Sequence, residues 1–276
     1  MPSASFVAIV ARSRSSFTYS KGADERGPFS LRLPAFVNEA GIIKYIRMSL
    51  DVVVILFQAV VFLFAISAHE AAHAYVAWRC GDPTAKMLGR VSLNPLRHID
   101  IFGTLIMPVI CIFMGAPIFG WAKPTPVNTR NFGNKIVRND VLTSLAGPAS
   151  NLLIATLAVL VLVVIGVTSQ HGRDVVGIMM QGMSANTGSP IEPLALLCYQ
   201  AMFINLLLAV FNVIPVPPLD GSHVIRHFLS PQALRIYDYV GMFGIVIIWV
   251  IGRPIIGFMM APFMAAFQYV LAKAIF

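Results

Sequence analysis

Five long stretches of this chain carry no charged residue: 52–68, 101–122, 141–170, 193–219, and a C-terminal one from 239 that is broken at Gly252-Arg253-Pro254 and resumes to 272. A helix needs roughly 20 predominantly apolar residues to cross a bilayer, and each window reaches that length once its flanks are counted. Composition agrees. Only 12% of the residues are charged and 57% are hydrophobic, against about 25% charged in an average soluble domain. Too little polar surface is available for a soluble enzyme, a disordered chain or a coiled coil. A transmembrane β-barrel would show short alternating segments instead of continuous apolar runs. The expected fold is therefore an all-α polytopic membrane protein of four to five transmembrane helices, with the lipid bilayer as its partner.

The net charge of +8 reads in this setting as basic cytoplasmic loops and not as nucleic-acid binding. Arg79, Lys86, Arg90 and Arg97 precede the second window; Lys123, Arg130, Lys135 and Arg138 follow it. If both loops face the cytoplasm, window 101–119 does not cross. Gly103, Pro108, Gly115 and Pro117 also break it, so the expectation is a re-entrant segment; the rival is an ordinary span. Loop 171–192, with Arg173 as its one fixed cation, then lies outside, and Asp220 returns to the cytoplasmic half. Residues 1–47 form a basic N-terminal arm, expected to be disordered or interfacial. Residues 48–230 form the core. Residues 231–276 form a C-terminal transmembrane region, either one kinked helix or a helix plus a re-entrant piece. Cys80, Cys111 and Cys198 are far apart and suit inert buried thiols.

The chemistry centres on His69-Glu70-Ala71-Ala72-His73, at the end of the first window. Histidines at i and i+4 share one helix face and can converge on one metal ion. Zinc lowers the pKa of a bound water towards ~7, and Glu70 is spaced to take its proton. A carboxylate at the end of an apolar span costs several kcal/mol to desolvate unless it is paired or solvated. A catalytic zinc takes a third protein ligand. Asp220 is the candidate: it ends the apolar run Pro215-Val216-Pro217-Pro218-Leu219, whose three prolines unwind the helix ahead of it.

Three elements occur in order: His69-Glu70-Ala71-Ala72-His73, Leu145-Ala146-Gly147-Pro148-Ala149-Ser150-Asn151, and Pro215-Val216-Pro217-Pro218-Leu219-Asp220-Gly221. Together they resemble the site-2 protease family of intramembrane zinc metalloproteases. The runs Gly81-Asp82-Pro83-Thr84-Ala85, Leu93-Asn94-Pro95-Leu96-Arg97-His98-Ile99-Asp100 and Phe119-Gly120-Trp121-Ala122-Lys123-Pro124 look like its compact bacterial subgroup, over about residues 50–230. The resemblance implies one Zn2+ per chain held by His69, His73 and Asp220, with Glu70 as general base. It implies cleavage of a peptide bond in or near the transmembrane segment of a single-span membrane-protein substrate, in a bacterial plasma membrane; the loop charges put the active site towards the cytoplasm. It also implies membrane-embedded β-hairpins at 86–93 and 118–128 that pair with unwound substrate. An external loop of about 22 residues leaves no room for an inserted PDZ domain.

Asn212 falls in the family's Asn-x-x-Pro position. It suits an oxyanion or substrate contact, or equally a helix–helix hydrogen bond. Asn151 and Asn205 read as interhelical polar contacts, Gly147 and Pro148 as a close helix approach, and His98 as a surface or interfacial histidine, with a fourth-ligand or inhibitory role as the alternative. His223 and His227 are a second i, i+4 pair with no evident third ligand. Two alternatives compete with the protease: a non-catalytic partner-binding protein of the same fold, and a metal transporter, which would need further intramembrane ligands along a path.

Overall fold

The computed structural model describes residues 39–107, 109–110, 120–181, 188–241 and 243–276, with the backbone alone described at 39–53, 105 and 245–253. Residues 1–38, 111–119 and 182–187 lie outside the described residues, so the expectations for most of the N-terminal arm, for Cys111 and for the middle of the second window fall there. The chain divides into two compact units, Met1–Phe57 and Gln58–Phe276. The described part of the first is the beginning of a long helix; the second holds everything discussed below.

Helix α1 spans Glu39–Arg79. It stops because Gly81 adopts a left-handed φ of 109°, allowing the amides of Gly81 and Asp82 to bond back to the Trp78 and Ala77 carbonyls. A short helix α2, Thr84–Met87, follows, then a 3-10 turn at Pro95–Arg97 and a π-helical turn at Ile101–Ile106. A second 3-10 stretch, Thr129–Lys135, leads into α3, Ile136–Thr168. Next come α4, Gln170–Met180, and α5, Glu192–Val213. The chain ends with α6, Gly221–Arg226, α7, Pro231–Gly241, and α8, Gly244–Ile275. Among the described residues, four helical stretches are long and apolar enough to cross a membrane: Val54–Arg79, Thr129–Thr168, Glu192–Val213 and Pro254–Ile275.

Helix α3 is central. One buried cluster joins it to α4, α5 and α8 through Leu162, Val175, Val176, Met202 and Leu271, and a second joins Ala155 to Leu206, Val210 and Met260. Two expectations are refined here. The stretch after the third window begins as a helix, because Ser169 accepts the Gly172 amide as a cap and Val175, Val176 and Met179 give α4 a buried face. In the C-terminal region α7 comes first, and the apolar stretch after it is one helix, α8, running through Pro254 and Pro262.

The two ends of the second window meet. The Trp121 amide donates to the Gly103 carbonyl at 3.1 Å, the Thr104 hydroxyl donates to the Trp121 carbonyl at 2.8 Å, and the indole lies where a Cβ on Gly103 would sit. A single straight span would separate its ends by about 30 Å; here the chain returns to its starting point. No strand forms among the described residues. Residues 86–93 close α2 and turn at Gly89 (φ 70°). In 120–128 the amides of Trp121, Lys123 and Thr125 all point into the protein, to Gly103, His98 and Glu70. That is the two-residue period of an extended segment, but Pro124 and Pro126 have no amide to give a ladder.

Asp82 ties these loops together. It is fully buried and accepts from the Thr84 amide and hydroxyl, the Asn128 amide and the Asn131 side chain. Burial alone would raise its pKa, but the Thr84, Asn128 and Asn131 donors outweigh that and hold it below the usual carboxylate value. A carboxyl depressed in the folded state stabilises above its unfolded pKa of ~3.9, and that contribution is lost as pH falls through the folded value. Asp82→Ala strands the four donors. It is expected to cost about 3 kcal/mol, read as a lowered unfolding temperature at pH 7 whose gap to wild type narrows towards pH 3.

Candidate metal centre and active site

His69 and His73 sit one turn apart in the last third of α1, both buried. Asp220 comes from the opposite end of the sequence, at the start of α6. Its Oδ2 lies 3.0 Å from His69 Nε2 and 3.3 Å from His73 Nε2. Among the described residues this is the group of three potential metal donors with atoms all within 4.8 Å of one another. Two ligands bound at 2.0–2.1 Å in a tetrahedron are about 3.3 Å apart, so the spacing fits one shared ion.

The second ring nitrogens decide whether Nε2 is available. His73 Nδ1 donates to the Thr143 carbonyl at 2.7 Å, and a carbonyl can only accept. For His69 the logic passes through two amides. Asn205 donates to the Ala201 carbonyl, which turns its Oδ1 towards Asn151. Asn151 must then donate there and to the Ala65 carbonyl, so its Oδ1 faces His69 Nδ1 as acceptor. Both histidines are therefore held with the proton on Nδ1 and the Nε2 lone pair directed at Asp220. Asn151 and Asn205 do join helices, as their types suggested; the chain of bonds also ends on a site histidine.

Gly147 supplies the space. A Cβ there would collide with the Nε2 atoms of both histidines, so the close approach expected at this glycine is an approach to the candidate metal-ligating pair. Pro148, next to it, lies within α3 and lacks an amide for the Ser144 carbonyl.

Glu70 is fixed from the loop side. Its Oε2 accepts the Thr125 amide at 2.8 Å, and its main-chain carbonyl accepts the Thr125 hydroxyl at 3.0 Å. Oε1 has no hydrogen-bond partner among the described residues. The loop is anchored in turn by Arg90, whose buried guanidinium reaches the carbonyls of Arg97, Lys123 and Pro124. No sequence signal marked Thr125, since its role depends on contact across 55 residues.

Other candidates fall elsewhere. Asn212 is in the last turn of α5, with Nδ2 donated to the Leu208 carbonyl at 3.0 Å. His98 is fully buried instead of lying at the surface. Its Nε2 bonds the Ser92 carbonyl and its own carbonyl takes the Lys123 amide. It holds loops and is not in the donor group. His223 and His227 pair with Asp140, a partner not visible in the sequence.

Comparison with known proteins points the same way. The model of Peptidase family M50 matches residues 57–251, which enclose the whole site. A Bacillus subtilis protein named "Putative zinc metalloprotease YwhC" is 33% identical over 195 residues, 71% of this chain and 79% of that protein. Proteins named "Putative zinc metalloprotease Rip2" from Mycolicibacterium smegmatis and Mycobacterium tuberculosis are 28% and 26% identical, each match covering 68% of this chain. This chain spans 63% of the length of each of those two proteins. No solved structure matches. The chain belongs to peptidase family M50, the site-2 protease family, and is an integral multi-pass membrane zinc metalloprotease.

Proposed function

We propose that this protein hydrolyses a peptide bond in or near the transmembrane segment of a single-span membrane protein, as a step of regulated intramembrane proteolysis. The observation that carries this reading is the convergence of two oriented Nε2 atoms and the Asp220 carboxylate, with a separately held glutamate beside them, on helices apolar enough to lie in a bilayer. His69, His73 and Asp220 hold the zinc. When bound there, zinc acidifies a coordinated water and polarises the scissile carbonyl. Glu70 takes the proton at its carboxylate and delivers it to the departing amine. Thr125 orients that carboxylate. Asn151 and the Thr143 carbonyl keep the histidine tautomers fixed.

A helical substrate hides its carbonyls in its own hydrogen bonds, so it must open at the cut. Segment 120–128 is the surface for the opened strand, in place of a regular hairpin. With amides 121, 123 and 125 turned inward and the Pro124 carbonyl taken by Arg90, the outward edge offers the Ala122 amide and the carbonyls of Ala122 and Pro126. An oxyanion or substrate contact from Asn212 requires Nδ2 to leave Leu208. Window 101–119 re-enters, which keeps both basic loops and the active site on the cytoplasmic face of a bacterial plasma membrane.

Zinc content of the purified protein tests the ligand set. Wild type is expected to carry about one zinc per chain, and His69→Ala and Asp220→Ala to carry almost none. Zinc retained at full content in Asp220→Ala would reassign the third ligand.

A further inference from the structure

One buried carboxylate outside the metal centre also bridges two elements. Asp140, in the first turns of α3, is 7% exposed. His227 Nε2 lies 2.7 Å from its Oδ2 and His223 Nδ1 lies 3.8 Å away. No Lys or Arg pairs with it among the described residues. An unpaired buried carboxylate is costly, so the two imidazoles are what make Asp140 tolerable there. Both follow Asp220 directly: His223 lies within α6 and His227 caps its end.

Asp140 is also the last member of a stripe. Positions 140, 143, 147 and 151 share one face of α3 by their spacing, and all are buried. Asn151 holds His69, Gly147 leaves room for both Nε2 atoms, and the main-chain carbonyl of Thr143 holds His73. At the N-terminal end of the same face, Asp140 holds the segment that carries Asp220. The Asp220 carboxylate has no partner among the described residues except the two histidines. Its position depends on where the α6 backbone is held. Asp140, His223 and His227 do not form a preformed metal site, since they fall outside the group of mutually close donors.

We infer that Asp140 is a positioning residue: through His227 and His223 it sets α6 against α3 and so places the Asp220 carboxylate opposite His69 and His73. This rests on Asp220 being a zinc ligand. The test measures zinc affinity of the purified full-length protein by chelator competition, together with the visible absorption of its cobalt-substituted form. Asp140→Asn and His227→Gln are each expected to weaken zinc about 10- to 100-fold, the range for a lost supporting contact around a metal. Their cobalt bands should shift and weaken relative to those of wild type. The double variant should be no weaker than the weaker single, because both remove one link. Affinity and cobalt spectrum within twofold of wild type in both singles overturns the proposal. So does a lower folded yield with wild-type affinity in the folded fraction, which is what a purely packing role predicts. Asp220→Ala separates the two claims. If it keeps wild-type affinity, the ligand assignment fails. If it loses zinc while Asp140→Asn does not, only the positioning role fails.

Discussion

Glu70→Gln is expected to lower proteolysis by roughly 10²- to 10⁴-fold, the usual contribution of a positioned general base, while leaving zinc content unchanged. The substitution keeps the side chain's size and can still accept the Thr125 amide through its carbonyl oxygen. It removes the carboxylate beside the metal donors that can take a proton. His69, His73 and Asp220 remain, and so do their hydrogen bonds to Thr143 and Asn151. Activity should therefore fall without loss of fold or metal. The measurement is cleavage of a co-expressed single-span membrane protein, followed by fragment size, beside zinc analysis of the purified variant. Processing at the wild-type rate would remove Glu70 from the mechanism.

Gly147→Ala should separate fold from metal in the opposite way. Alanine is the better helix former by about 1 kcal/mol, so α3 by itself is not weakened. The added methyl, however, falls on the Nε2 atoms of His69 and His73. Relief requires the rings to turn away or α1 and α3 to part, and either change spoils the shared position facing Asp220. The expected result is a folded protein with an unfolding temperature near that of metal-free wild type, zinc affinity reduced by at least about 100-fold, and no detectable cleavage. Full zinc occupancy in Gly147→Ala would show that the ion sits away from the Nε2 pair. Gly147→Ala and Glu70→Gln thus form a contrast: one removes the metal, the other only the base.

Much of this site is legible in the sequence because its parts are local. The histidine pair and Glu70 lie within five consecutive residues, so helix geometry alone puts them on neighbouring faces. Asp220 stands out because charge is rare at the end of an apolar run. The partners of these residues are not legible in the same way. Asn151 and Asp140 are ordinary polar types, Thr125 and Thr143 act through their backbone amide and carbonyl, and what they touch lies between 55 and 87 residues away. His98 misleads for a related reason: a histidine on a loop reads as exposed, and only the packing of 92, 98 and 123 against one another buries it. The β-hairpins mislead because the segment 120–128 has the extended spacing of a strand, while Pro124 and Pro126 withhold the amides a ladder needs.

By itself, the sequence determined the solvent and the chemistry. Uncharged windows settle the bilayer, since every apolar residue there must avoid water, and the spacing of His69, Glu70 and His73 marks a candidate metal-binding helix face. Only the tertiary structure decided how those groups are made competent. The proton positions on two imidazoles, the space in front of their Nε2 atoms, and the placement of a carboxylate 147 residues after His73 all depend on one face of α3. That face exists in the sequence as a spacing, but its meaning comes from the three elements folded against it.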